Sequence, residues 1–339
     1  MRAKVDAALG ALVAFAAFGL GCSETPVSVP LRSLERSGEV SFVCADQEGE
    51  GHHIDACPDF DSEENPRHLY AMVTQTLRGE VAVVDLSAGR VLDLDPSTPG
   101  FSFLPVGENP VDIVSTPGGV ASFVGVADIG KEGIFAIPTR CARPPARDLT
   151  SWSACALPVA PGEMVIAIDP PGTDADADAT TPAPVRASCD APFTVAAATP
   201  GTALAATRAE CPADLALEKA PAGRRKLIVT LPALGGFAVI DAQGVLDREP
   251  GSYQPCDIER FIALEPKLDD TVVQKVPADL QAPGCSLPEI NYGPVPDTFI
   301  SQPAGIELSE GRLFVADRGS PAVHVVDVSD PCAPRQDPP

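Results

Sequence analysis

The amino-acid sequence predicts an all-β chain built from a repeated antiparallel meander. The apolar runs are short, alternating or continuous, and stop at Gly, Pro, Asp or Asn. No long amphipathic helix can be placed, and 37 prolines work against one. Three segments also align with one another: "NPVDIVSTPGGVASFVGVADIGKEGIFAIP" (109–138), "CPADLALEKAPAGRRKLIVTLPALGGFAVID" (211–241) and "QPAGIELSEGRLFVADRGSPAVHVVDV" (302–328). Each reads proline, apolar strand, Gly-containing turn, strand, Gly-containing turn, strand. A fourth segment, "HLYAMVTQTLRGEVAVVDLSAGRVLDLD" (68–95), carries the last two strands of the unit and adds another.

The leading prolines, Pro110, Pro212 and Pro303, are separated by gaps that suit either two units of about 40 to 50 residues or one unit with a long insertion. A lone meander leaves apolar faces wet, so the units must stack. Radial stacking, a β-propeller, leaves only short strand edges. Gly118 with Gly119, Gly223 and Gly311 mark the first hairpins, and Gly130, Gly235 with Gly236, and Gly319 the second. Four clear units with one or two divergent ones would close a small ring; equally, the chain would be the front part of a longer propeller.

Two stretches, "LPVGENPVDIVSTPGG" (104–119) and "GRLFVADRGSPAVHVVDV" (311–328), resemble the repeat of YVTN-type β-propellers. Val106, Gly107 and Pro110 match the Val-Gly-x-x-Pro lead-in, and Phe314, Val315, Ala316 and Asp317 match the strand end. The asparagine of that repeat is replaced by Gln75, Asp128, Pro232 or Asp317. The resemblance implies a fold and leaves the activity open.

The N-terminus has the order of an export signal: Arg2 and Lys4, an apolar run over 7–20, then small residues around Cys22. The run is shorter than the roughly 20 residues that cross a bilayer. Gly19, Leu20, Gly21 and Cys22 resemble the end of a bacterial lipoprotein signal, which implies lipid on Cys22; Gly19 and Gly21 also satisfy the small-x-small rule of an ordinary signal peptidase. The expected organisation is a signal peptide (1–21), a flexible stem (22–40), a propeller-like domain (41–335) with disulfide-pinned insertions near 140–190 and 250–298, and a tail (336–339). The expected location is outside the cytoplasm, lipid-anchored at the outer membrane, with a secreted or periplasmic form as the alternative.

Ten cysteines occur without zinc spacing, and in an exported chain they read as disulfides. Sequential neighbours suggest Cys44 with Cys57, Cys141 with Cys155, Cys189 with Cys211, and Cys256 with Cys285, leaving Cys332 unpaired. Each closed loop would contribute about 3 kcal/mol.

A formal charge of -23 and a single tryptophan, Trp152, argue against nucleic acid as a partner. Asp174, Asp176 and Asp178 imitate half a calcium loop, but Ala179 and Val185 stand where it needs Gly and Glu, so a flexible acidic loop is expected. The stretch 44–61 gathers Asp46, Glu48, Glu50, His52, His53, Asp55 and Asp59, read as a solvated loop rather than a metal site. Lys219, Arg224, Arg225 and Lys226 read as a solvated basic turn, and His324 as a packed or edge-facing strand residue. No G-x-S-x-G, H-E-x-x-H, Walker loop or G-x-G-x-x-G occurs, so no catalytic residue, metal or cofactor is assigned. The expected function is a non-enzymatic binding or scaffold module, membrane-held through its lipid and meeting a protein or glycan partner. The alternative is a metal-dependent, lactonase-like hydrolase with a central site.

Overall fold

The computed structural model describes residues 34, 36–57, 66–94, 102–142, 152–168, 225–264, 301–319 and 322–336. The chain divides into two compact units, Met1–Arg32 and Ser33–Pro339. The first, where a signal peptide and a lipidated Cys22 are expected, lies outside the described residues, as do Cys189, Cys211, Cys285 and the 174–178 aspartates. Among the described residues no helix is long and apolar enough to cross a membrane.

The second unit is a β-propeller of antiparallel blades taken in chain order. Blade 1 comprises β1 (Ser37–Ala45), β2 (Gly51–His52), β3 (His68–Gln75), β4 (Glu80–Asp85), β5 (Arg90–Val91) and β6 (Leu104–Pro105), ordered β2-β1-β3-β4-β5 with β6 also on β4. Blade 2 runs outward through β7 (Pro110–Ser115), β8 (Ala121–Val126), β9 (Gly133–Pro138) and β10 (Ser153–Ala156). Blade 3 starts with β11 (Met164–Ile168), β12 (Arg225–Leu231) and β13 (Gly236–Asp241). The chain then turns through a short helix, α1 (Ala242–Leu246), and lends β14 (Tyr253–Pro255) to the edge of blade 2, parallel to β10. It returns as β15 (Ile258–Ala263), the outer strand of blade 3. Blade 4 is β16 (Pro303–Ser309), β17 (Arg312–Asp317), β18 (Val323–Asp327) and β19 (Arg335–Gln336). The inner strands β1, β7, β11 and β16 lie against one another in that sequence.

Three cores hold neighbouring blades together, and strand alternation assigns residues to them. Leu227, Val229 and Leu231 of β12 face blade 2, where they meet Phe123, Ile134 and Ala136. Ile228, one position out of step, faces blade 4 with Phe237 and Val239 against Ile306, Leu313, Val315 and Val326. Between blades 1 and 2, Val43, Met72, Val81 and Val83 pack on Ile113, Val124, Val126 and Ile137. Each such side chain contributes about 1.5–3 kcal/mol by leaving water. At the other end of the inner strands, Gly119 (φ 68°) lies so close to blade 1 that a Cβ there would sit 2.8 Å from the carbonyl oxygens of Cys44 and His52. Only glycine fits that turn.

Several expectations are corrected here. The inner strand of blade 3 is β11, led in by Pro161, and not the segment after Pro212, which lies outside the described residues. Parts of the expected insertions are blade strands, namely β10, β11, β14 and β15. Cys155 bonds Cys256, so the pairings of Cys155 with Cys141 and of Cys256 with Cys285 do not form. The cause is the excursion of β14, which carries Cys256 to the strand holding Cys155. Cys44 does bond Cys57. Cys141 and Cys332 are disulfide-bonded too, so Cys332 is not an unpaired thiol. Such bonds persist only in an oxidising compartment, so this is an extracytoplasmic protein.

Candidate functional site

The residues best placed for chemistry gather where the inner strands begin. Pro110-Val111-Asp112 opens β7, Pro161-Gly162-Glu163 precedes β11, and Pro303-Ala304-Gly305 opens β16; Glu39 lies in β1. The register of β1, β7 and β16 slips between Ser37 and Val40, Pro110 and Asp112, and Pro303 and Gly305, respectively. A slipped residue at a strand start redirects the next side chain. Asp112 is thereby aimed at blade 3, where its carboxylate accepts the Met164 N–H as well as that of Ile113 at 2.7 Å. Glu163 repeats the link one blade on: its Oε2 accepts the Ile306 N–H at 2.9 Å. In blade 4 the acid position is Gly305, whose missing side chain leaves room for that carboxylate. Thr74 and Thr230 brace the acids from the second strands, donating to the backbone carbonyls of Glu39 and Glu163.

Asp112 is 6% exposed. Burial pushes its carboxyl up to about 6 against the N–H groups of Met164 and Ile113, with Glu163 and Glu39 adding repulsion. Such a group can hold or release a proton near neutrality. Its oxygens are, however, engaged by the main chain, as is Glu163, so the observed role of these two acids is to strap the inner strand of blade 2 to that of blade 3 and that of blade 3 to blade 4. Among the described residues no group of three or more His, Cys, Asp or Glu is disposed to hold a metal ion.

A second repeated pair lies toward the opposite end of the strands. The third strands of blades 1, 3 and 4 end in Asp85, Asp241 and Asp327, and the second strands begin with or near His68, Lys226 and Arg312. His68 Nδ1 is 3.0 Å from Asp85. Arg312 is paired in register with Asp327, whose carboxyl is held below its ordinary value by Ser329 first, with Arg312 and Arg335 contributing. In blade 3 the pair is sealed: Lys226 has no exposed surface and reaches Glu259 of β15 at 2.7 Å and Asp241 at 3.9 Å. Arg225 is buried beside it in the same strand. The expected solvated turn at Arg225 and Lys226 is therefore corrected; both belong to β12, where acids on two other strands of the blade offset the charge of Lys226.

His324 is a buried residue of β18, and its Nε2 lies 3.2 Å from Asp317. Burial opposes ionisation of Asp317, but hydrogen bonds from Ser301, the Gln302 N–H, His324 and the Gly319 N–H outweigh it and hold the carboxyl at about 2. Ser301 donates to the aspartate at 2.7 Å rather than to the histidine, so Ser301, His324 and Asp317 form a turn brace and not a nucleophile with its base.

In the loop closed by Cys44 and Cys57, His52 meets Asp46 at 3.0 Å and His53 meets Asp55 at 3.3 Å. The adjacent histidines thus serve separate aspartates. Asp59, Lys219 and Arg224 lie outside the described residues.

The acids of the inner strands and the strand-end aspartates escaped the sequence reading. Two signals could have found them: an acid two residues after the proline at 112 and 163, and an apolar pair followed by Asp in "VVD", "VID" and "VVD" at 83–85, 239–241 and 325–327.

No protein-family model and no curated protein sequence matches the chain. Among solved structures it is similar to Kuenenia stuttgartiensis hydrazine synthase, at 11% identity over 93% of this chain and 52% of that one, with a TM-score of 0.38. It is also similar to dihydro-heme d1 dehydrogenase NirN in complex with DHE, at 13% identity over 91% of this chain and 46% of that one, with a TM-score of 0.32. The chain spans about half the length of each, and likenesses this distant assign it no site.

Proposed function

We propose that this chain is a cell-envelope propeller lipoprotein, with YVTN-like repeats and lipid on Cys22, that acts as a non-enzymatic binding module for a protein partner. The observation that carries the binding role is the outward face of blade 4. Along β17 the residues alternate strictly, with Arg312, Phe314 and Ala316 exposed and Leu313, Val315 and Asp317 buried. Phe314 pairs with Val325 of β18 and Glu307 of β16, so an apolar strip crosses the middle of the blade between Glu307, Arg312 and Asp327. An open apolar strip with a charged rim suits a protein interface. A photo-crosslinking residue in place of Phe314 is expected to give one discrete adduct in intact cells, and the same probe at Leu86 none. Adducts at both positions, or at neither, would sink this face as the docking site.

The lipid is tested by intact mass of the membrane-extracted chain and by Cys22→Ser, which is expected to release it from membranes. The alternative, a metal-dependent hydrolase, would have to draw on Asp112 with Glu39 and Glu163, although among the described residues no group of three such side chains is disposed to hold an ion. Stoichiometric divalent-ion binding that disappears in Asp112→Asn would move the assignment to that class.

A further inference from the structure

The turns joining the second and third strands of the blades share a feature. Blade 1 turns through Leu77, blade 2 through Ile129 and blade 3 through Leu234, and in blade 4 Val323 stands at the start of the third strand. All four are exposed, Ile129 at 96%, Leu77 at 63% and Val323 at 62%. An isoleucine left almost wholly in water at a hairpin tip serves no core.

These tips belong to one end of the propeller. The inner strands begin side by side, because Asp112 near the start of β7 binds Met164 at the start of β11, and Glu163 there binds Ile306 of β16. In an antiparallel meander the second strand ends where the first begins. The turns accordingly contact the inner-strand starts: the Gly79 carbonyl accepts the Val106 N–H, the Thr230 carbonyl that of Gly162, and the Gln302 carbonyl that of Arg318. The chain enters at the same end, where the Arg36 carbonyl accepts both the N–H and the hydroxyl of Thr76, next to Leu77. Leu34, just upstream, is exposed as well.

The geometry points to a lipid surface as the occupant of this end, with Leu77, Ile129, Leu234 and Val323 inserted shallowly among the headgroups. This rests on the reading of Cys22 as a lipid anchor. The segment from Cys22 to Leu34 reaches at most about 40 Å even when fully extended, so an anchored chain keeps the propeller close to the membrane. It also joins the domain at the end that carries the apolar tips. Four separated tips, one per blade, suit a fluid interface better than a shaped protein pocket. Arg36, Arg78, Lys131 and Arg318 are exposed at the same turns, but Glu108, Asp128 and Glu132 lie near them. The attraction is therefore apolar, and zwitterionic lipid suffices.

The test uses the full chain in phosphatidylcholine vesicles containing a lipid-borne quencher, with an environment-sensitive fluorescent residue placed at Ile129, at Leu234 or, on the opposite end, at Leu86. Quenching at positions 129 and 234 is expected to exceed that at 86 by about threefold or more. Leu77→Glu with Ile129→Glu, both at exposed turns, is expected to abolish the quenching at 234 while leaving the unfolding midpoint unchanged. Equal quenching at both ends, or none at 129 on a vesicle-bound chain, overturns the docking. So does shielding of position 129 by an envelope protein without lipid quenching. Intact mass reports the anchor separately: a lipidated chain without quenching sinks the docking alone, and an unlipidated chain that is quenched sinks the anchor alone.

Discussion

Blades 3 and 4 are built on one plan and live in different surroundings. In blade 3, β12 is buried at every position and β13 at all but its last, because blades cover both its faces. In blade 4, β17 is buried at every second position only. The same strand-end pair follows suit: Lys226 and Glu259 are buried with Asp241 only slightly exposed beside them, whereas Arg312 and Asp327 lie in water. Position in the array, more than the repeat itself, decides whether a charge is structural and whether an apolar residue is available for contact.

The sharpest way to break this contrast is a pair of phenylalanines. Phe237→Ala in blade 3 is expected to cost about 3–5 kcal/mol, since the ring is wholly buried against blade 4. Phe314→Ala, at 37% exposure, is expected to cost under about 1 kcal/mol. Urea midpoints at neutral pH check both, and equal losses would mean that blade 4 is covered in solution. The charged pairs make the next test. Lys226→Met strands a buried Glu259 and should cost about 3–5 kcal/mol, largely recovered when Glu259→Leu is added, whereas Arg312→Met should leave the midpoint in place.

Cys155→Ser removes the bond between blades 2 and 3 and is expected to cost about 2–4 kcal/mol, read as a lower melting temperature in non-reducing buffer. The smallest of the main effects is a pH dependence at the strap between the same blades. Burial raises Asp112 from 3.8 to about 6 in the folded chain, so the folded state binds its proton more tightly than the unfolded one. Its contribution is full below 3.8 and lost as pH rises through about 6, a swing of about 2–3 kcal/mol. Asp112→Asn should flatten this part of the curve: variant and parent differ most at pH 7.5 and converge as pH falls below about 3.8. A difference that does not change with pH would show that Asp112 titrates normally.

The cover on each blade was written in its strands. The continuous runs "KLIVTL" and "GFAVI" match strands buried on both faces, and "RLFVAD" alternates as a half-wet strand must. Turn glycines located the hairpins because positive φ is needed at Gly119, Gly130, Gly235 and Gly311. The start of blade 3 was not legible, because residues 169–224 separate β11 from β12 and Pro212 offers a lead-in of similar pattern. Neither were Lys226 and its partners, since their charges cancel only across three strands distant in sequence. Disulfide connectivity failed for a related reason: neighbours along the chain are neighbours in space only if the chain stays in its own blade, and β14 does not.

That departure has a consequence for how the molecule is made. Blade 2 receives its outermost strand from residues 253–255, after most of blade 3 has been synthesised. A chain emerging from its N-terminus cannot finish blade 2 first, so the parallel edge of β10 waits, unpaired, for a segment made about 100 residues later. The two blades must therefore mature as one cooperative unit, joined when the thiols of Cys155 and Cys256 give up two electrons and two protons to an oxidant of the compartment and form their disulfide. A chain interrupted anywhere between β10 and β14 would lose two blades to misfolding, not one.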